Sequence, residues 1–157
     1  MLAKNLALVT LALCITESFG NAQHDGANSA NTRLLSVFNP AGYSYIDVWG
    51  YVDPPTGHEY ALLGTTTGTF VVDCSDPTDP QERAFFSGPR SEWRDIRTYG
   101  SYAYVVNDDA GGIQIIDMSD PDQPHLVTTW GQTLWTNTHN LAIDTDTGLL
   151  YGAGTNL

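Results

Sequence analysis

Past its first few residues this chain has no lysine. Lys4 is the only one in 157 residues, and five arginines supply every other fixed positive charge. Against them stand 18 acids, mostly aspartates, for a formal net charge of −12. A nucleic-acid binder needs a basic stripe to neutralise phosphates, and that class is excluded. Cysteine is almost as scarce, with only Cys14 and Cys74. Cys14 falls in an N-terminal segment expected to be removed, so no intrachain disulfide is expected. Cys74 lies in the apolar run TFVVDCSD and reads as a buried, inert thiol. No apolar run approaches the ~20 residues that span a bilayer, and no segment sustains a helical period. G-x-S-x-G, H-E-x-x-H, Walker and C-x-x-C motifs are absent, and His24, His58, His125 and His139 show no metal-ligand spacing.

The first 22 residues have the make-up of a secretory signal: a positive start at Lys4, an apolar run from Leu6 to Ile15, and small exit residues at Gly20 and Ala22. Cleavage after Ala22 is expected, with a secreted product. Losing Lys4 and Glu17 together leaves the net charge unchanged. Residues 23–32, small and polar, read as a flexible leader. From Arg33 onward, short runs of Val, Ile, Tyr, Phe and Thr alternate with Gly, Pro, Asp and Asn clusters, which predicts an all-β chain.

An internal repeat organises these runs. Tyr60 aligns with Tyr104, 44 positions later, and without a gap Gly68 falls on Gly112 and Asp73 on Asp117. Ser75, Asp76, Pro77 and Pro80 then fall on Ser119, Asp120, Pro121 and Pro124. Upstream, the stretch around Tyr45 and Asp47 resembles that around Trp93 and Asp95, with a looser third copy at Thr138, His139 and Asn140. Four short strands in a unit of ~40–50 residues are the signature of a β-propeller blade. The expected architecture is an incomplete propeller of about two and a half four-stranded blades. Its blades are 44–88, 92–130 and a truncated 138–157, and 33–38 is a stray outer strand resembling 125–130. A propeller closes with ~4–8 blades. The missing ones are expected either from the rest of a longer chain or from self-association.

GGIQIIDMSDPDQPHLV (111–127) and TFVVDCSDPTDP (69–80) resemble LVIVD repeats. DVWGYVDPPTGHEYALLGTTTGTFVVD (47–73), SEWRDIRTYGSYAYVV (91–106) and THNLAIDTDTGLLYGAGTN (138–156) resemble, in order, the choice-of-anchor B family. That resemblance covers about 33–157. It implies an extracellular propeller body, in some members with a C-terminal surface anchor; the anchor and the later blades are not in this sequence. The family's biochemical role is largely undefined, so the resemblance implies architecture and location more than activity.

Equivalent positions of successive blades lie near one another in a ring. Tyr45, Asp47, Trp49, Trp93, Arg94, Asp95, His139 and Asn140 are therefore expected around one end of a central channel. There they could bind a ligand with aromatic walls and a few aimed polar groups, or tie neighbouring blades together. The S-D-P-x-x-P segments read as fixed turns, and Asp73 and Asp117 as acceptors for the turns that follow them. Asp144 with Asp146, and Asp108 with Asp109, hint weakly at calcium, though plain turns are simpler. No cofactor is otherwise expected. The function expected first is a non-catalytic binding or scaffold module, secreted or at the cell surface, for a protein or glycan partner. The second is an extracellular hydrolase or lyase whose active site is completed by the missing blades.

Overall fold

A computed structural model describes residues 33–155. The signal-peptide and leader readings lie outside these residues. Every regular element described is a β-strand: β1 Tyr45–Val52, β2 Glu59–Thr65, β3 Gly68–Asp73, β4 Gln81–Ser87, β5 Arg94–Tyr99, β6 Tyr102–Asn107, β7 Ile113–Asp117, β8 His125–Trp130, β9 Asn140–Asp144 and β10 Leu149–Ala153. They form three antiparallel sheets in chain order: β1-β2-β3-β4, β5-β6-β7-β8, and the pair β9-β10. Among the described residues there is no helix able to cross a membrane.

The repeat read from sequence has a physical basis in the two four-stranded sheets. A Cβ at Gly68 would overlap the Phe86 carbonyl, and one at Gly112 would overlap the Trp130 carbonyl. In both sheets the outer strand passes too close for any side chain at the start of the third strand. The third-to-fourth strand ladder slips between Val71 and Val72 in the first sheet, and between Ile115 and Ile116 in the second, at equivalent repeat positions. The S-D-P segments are aspartate turns. Asp73 and Asp117 accept the N–H of Ser75 and Ser119 at 2.8 and 2.7 Å. Asp76 and Asp120 accept the N–H two residues on. These bonds fix the sharp exit from each third strand.

Strand alternation sends one set of side chains from each sheet into each seam. Tyr51, Tyr60, Leu62 and Val71 of the first sheet meet Ile96, Ala103, Val105, Ile116 and Met118 of the second. Across its other face the second sheet packs Val106 and Ile113 on Leu141, with Trp135 and Leu150 closing the edge. The far face of the first sheet, Leu63, Phe70 and Val72, is covered from within the chain by Phe38, Tyr43, Tyr45 and Phe85.

Residues 33–38, expected as a stray outer strand, form no strand. They pair with no strand among the described residues. Instead Phe38 sets its ring 5.6 Å from Phe70, and the Ser36 hydroxyl donates to the Pro77 carbonyl. This segment is anchored by Phe38 on Phe70 and by Ser36 rather than by a ladder partner. Cys74 is half-buried, and burial pushes its thiol pKa up, away from the thiolate.

Candidate functional site

The leading strands β1, β5 and β9 stand side by side, one opening each sheet, and a repeated hydrogen bond ties them. The Asp47 carboxylate, on β1, accepts the N–H of Ile96 on β5 at 3.0 Å. Asp95, at the equivalent place on β5, accepts the N–H of Leu141 on β9 at 2.5 Å. In each case the donor directly follows the next copy of the acceptor position. A leading strand has one edge with no ladder partner, so its N–H groups there need an acceptor. The neighbouring sheet's aspartate supplies it. Burial raises the Asp47 pKa, with the nearby Asp95 charge adding to it, against the backbone N–H bonds that lower it. Asp95 also takes a 2.6 Å ion pair from Arg97, whose guanidinium lies 4.3 Å over the Trp49 ring. Trp49 Nε1 donates to the Thr98 hydroxyl at 3.0 Å.

The eight residues expected at one channel end therefore divide into separate groups. Trp49 lies well along β1, against Thr98. Thr98 is five residues beyond Trp93, roughly 16 Å at ~3.3 Å per residue. Tyr45 turns to the far face of the first sheet, where its hydroxyl donates to the Pro40 carbonyl at 3.0 Å and burial raises its pKa. Arg94 turns into the seam between the first two sheets and is only 4% exposed. Its Nε and Nη2 donate to the carbonyls of Thr65 and Pro89, and desolvation lowers its pKa. Asn140 leads β9 with an exposed side chain.

Trp93 and His139 do meet. Trp93 directly precedes β5 and His139 directly precedes β9, and their rings lie 5.3 Å apart. Asp108 follows β6, whose end is antiparallel to the start of β5, so it reaches the same place. His139 Nδ1 donates to the Asp108 carboxylate at 2.7 Å. Asn137 donates to the Asp108 carbonyl at 2.9 Å and holds the loop in place. Trp93 is 58% exposed, so one face of this cluster meets solvent. The arrangement offers a flat aromatic surface, a carboxylate-oriented imidazole and the exposed Asp109 beside it.

Two of the four calcium candidates, Asp144 and Asp108, have their carboxylates engaged by local structure. The Asp144 carboxylate accepts from the N–H groups of Asp146 and Thr147 and from the Thr147 hydroxyl, which lower its pKa. Asp108 is engaged by His139, and the Asp109 N–H is held by Asn107 Oδ1. Asp146 stays exposed. No group of three or more His, Cys, Asp or Glu side chains suited to a metal ion gathers among the described residues.

Sequence reasoning missed two participants. Arg97 is one: it stands two residues after Asp95, and strand alternation puts both on one face, which was the available signal. Asp122 is the other, in the second S-D-P turn. It accepts from the Tyr60 hydroxyl at 3.2 Å and pairs with Arg83 at 3.0 Å, locking the second repeat's turn against the first sheet. Nothing in the local pattern marks that long-range contact.

Residues 92–130, which include the whole second sheet with Trp93 and Asp95, match the LVIVD repeat family. No curated protein and no solved structure matches the chain.

Proposed function

We propose that this chain is part of a secreted or cell-surface β-propeller of the choice-of-anchor B kind, in which each sheet is a blade, and that it acts as a non-catalytic binding module. Residues 45–87 and 94–130 are then two whole blades, and 140–153 the inner half of a third. The LVIVD match and the repeated aspartate tie between inner strands support this architecture. The signal-like segment supports export.

The observation that carries the binding role is the exposed Trp93 beside the His139–Asp108 pair, built across two neighbouring sheets. Trp93 is more than half exposed, so its ring face is open to a partner. An aromatic face flanked by hydrogen-bonding groups suits the apolar face and hydroxyls of a sugar ring, and glycan is the partner class favoured. Titrating neutral oligosaccharides against tryptophan fluorescence tests this. A saturable change that disappears in Trp93→Ala, with unchanged circular dichroism, is expected. A change that survives in Trp93→Ala overturns the assignment of the site.

One observation favours the second reading, a hydrolase or lyase. A carboxylate-oriented histidine is the usual form of a general base. Turnover of chromogenic glycosides or esters that is lost in His139→Asn would replace the binding reading with the catalytic one.

A further inference from the structure

We propose that the seam between the first and second sheets is a hydration site, in which one buried water molecule bridges Arg94 and Gln114 beside Gly88. This inference is independent of the function proposed above. Arg94 has no carboxylate partner in the seam. Two of its nitrogens reach backbone carbonyls, while Nη1 has no partner among the described residues. Gln114, 7% exposed, donates Nε2 to the Ser87 carbonyl at 2.9 Å. That bond fixes the amide, since a flipped Gln114 would set two oxygens against each other. Its Oε1 is thereby turned elsewhere, and it too has no partner among the described residues.

The two unpaired atoms both lie close to Gly88. A Cβ at Gly88 would lie 3.0 Å from Arg94 Nη1 and 3.1 Å from Gln114 Oε1. Gly88 has no positive φ, so its backbone does not call for glycine; the close approach of these two side chains does. Thr69 Oγ1, a third buried polar atom with no partner among the described residues, belongs to the same seam, on the strand that pairs with Gly64. Arg94 Cδ would stand 3.5 Å from a Cβ on Gly64.

The pairing of a donor with an acceptor selects the ligand. A halide or other small anion would suit Nη1 but would face the lone pairs of Oε1. A metal ion would suit Oε1 but would be repelled by the guanidinium. Water accepts from the one and donates to the other, and buried waters hold 2–4 such bonds. It also lets the guanidinium remain charged in the seam without an ion-pair partner, because a hydrogen-bonded cation keeps part of its solvation.

A high-resolution crystal structure of the secreted protein, with a second crystal grown in bromide, tests the proposal. The expected result is a density peak within hydrogen-bond distance of Arg94 Nη1 and Gln114 Oε1, with no anomalous signal in bromide. An empty seam, a direct Arg94–Gln114 bond or a bromide peak would each overturn it. In solution, a slowly exchanging water should give cross-relaxation to the Gly88 amide, and Gly88→Ala should abolish it and lower Tm by about 2–8 °C. No such cross-relaxation in the wild-type chain, or a Gly88→Ala variant with unaltered cross-relaxation and Tm, also counts against the site. Should Gly88→Ala fail to fold, the wild-type crystal decides alone.

Discussion

Asp95 accepts two hydrogen bonds at once, from the Leu141 N–H and from Arg97, while only 4% exposed. Replacing it with alanine orphans a buried backbone donor and releases the guanidinium from its place over Trp49. Asp95→Ala should lower stability by ~2–4 kcal/mol, since a bond to a charged group is lost and a buried donor is left unmade. Asp95→Asn keeps an acceptor for Leu141 and should cost less. Urea unfolding of the two variants checks both; equal losses would mean that charge, and not the tie to Leu141, is what matters. The turn aspartates add a pH dependence. Burial alone would raise the Asp73 pKa, but hydrogen bonds from Ser75 and Arg83 outweigh it and hold it below the ordinary value. The Ser119 N–H and hydroxyl do the same for Asp117. A folded-state pKa below the unfolded one gives stability that is present above pH ~4 and lost as pH falls through the folded value. Unfolding followed from pH 6 to pH 2 should therefore show declining stability below about pH 4. Asp73→Asn should flatten that decline.

At the scale of the strands, much of the architecture was legible because the repeat writes the same steric demand twice. Gly68 and Gly112 meet the outer strand's carbonyl at equivalent points, and the aspartate turns recur with the motif that spells them. Gly68→Ala should cost ~1–3 kcal/mol through overlap with Phe86. Gly112→Ala should cost more, because its φ of +73° adds backbone strain. Thermal unfolding of the pair would check this order, and equal shifts would contradict it. What the sequence left unread depends on distance along the chain. Residues 33–38 have the composition of an outer strand, yet only Phe38 of their apolar side chains packs on the first sheet's far face, while Leu34, Leu35 and Val37 stay exposed. The candidate site residues were separated for a related reason. Repeat alignment places residues on equivalent strands, but alternation then sends Arg94 and Asp95 to opposite faces, one into each seam. That split was readable in principle. The engagement of Asp108 with His139 was not, since it depends on where a loop between β6 and β7 comes to rest.

For the molecule as a whole, the faces at its two ends are unequal. The outer part of the first sheet is covered by Phe38 and Tyr43, whereas Val48 and Val52 on β1 stay exposed. At the other end β10 pairs only with β9, and Leu149 and Tyr151 are each more than half exposed. An unpaired strand edge next to apolar side chains favours association. Residues 23–157 in isolation should therefore self-associate, or melt at low temperature, instead of behaving as a compact monomer. Sedimentation velocity over a range of concentrations with parallel thermal unfolding tests this. A concentration-independent monomer with one sharp transition would show that these ends are adequately capped.

The aspartate ties also run in one direction. Asp47 lies 49 residues before the N–H it receives, and Asp95 lies 46 residues before its own. During synthesis the acceptor is thus always made first. Each sheet, as it leaves the ribosome, meets a neighbour already carrying the carboxylate that will receive it. No sheet has to wait for a later one before its leading strand can dock. Folding can then proceed vectorially, unit by unit from the N-terminal side, as domains commonly do during translation. A break at Asp47 would be felt at the first docking step and a break at Asp95 only at the second, so one pattern of hydrogen bonds sets both the position of the sheets and the order in which they are laid down.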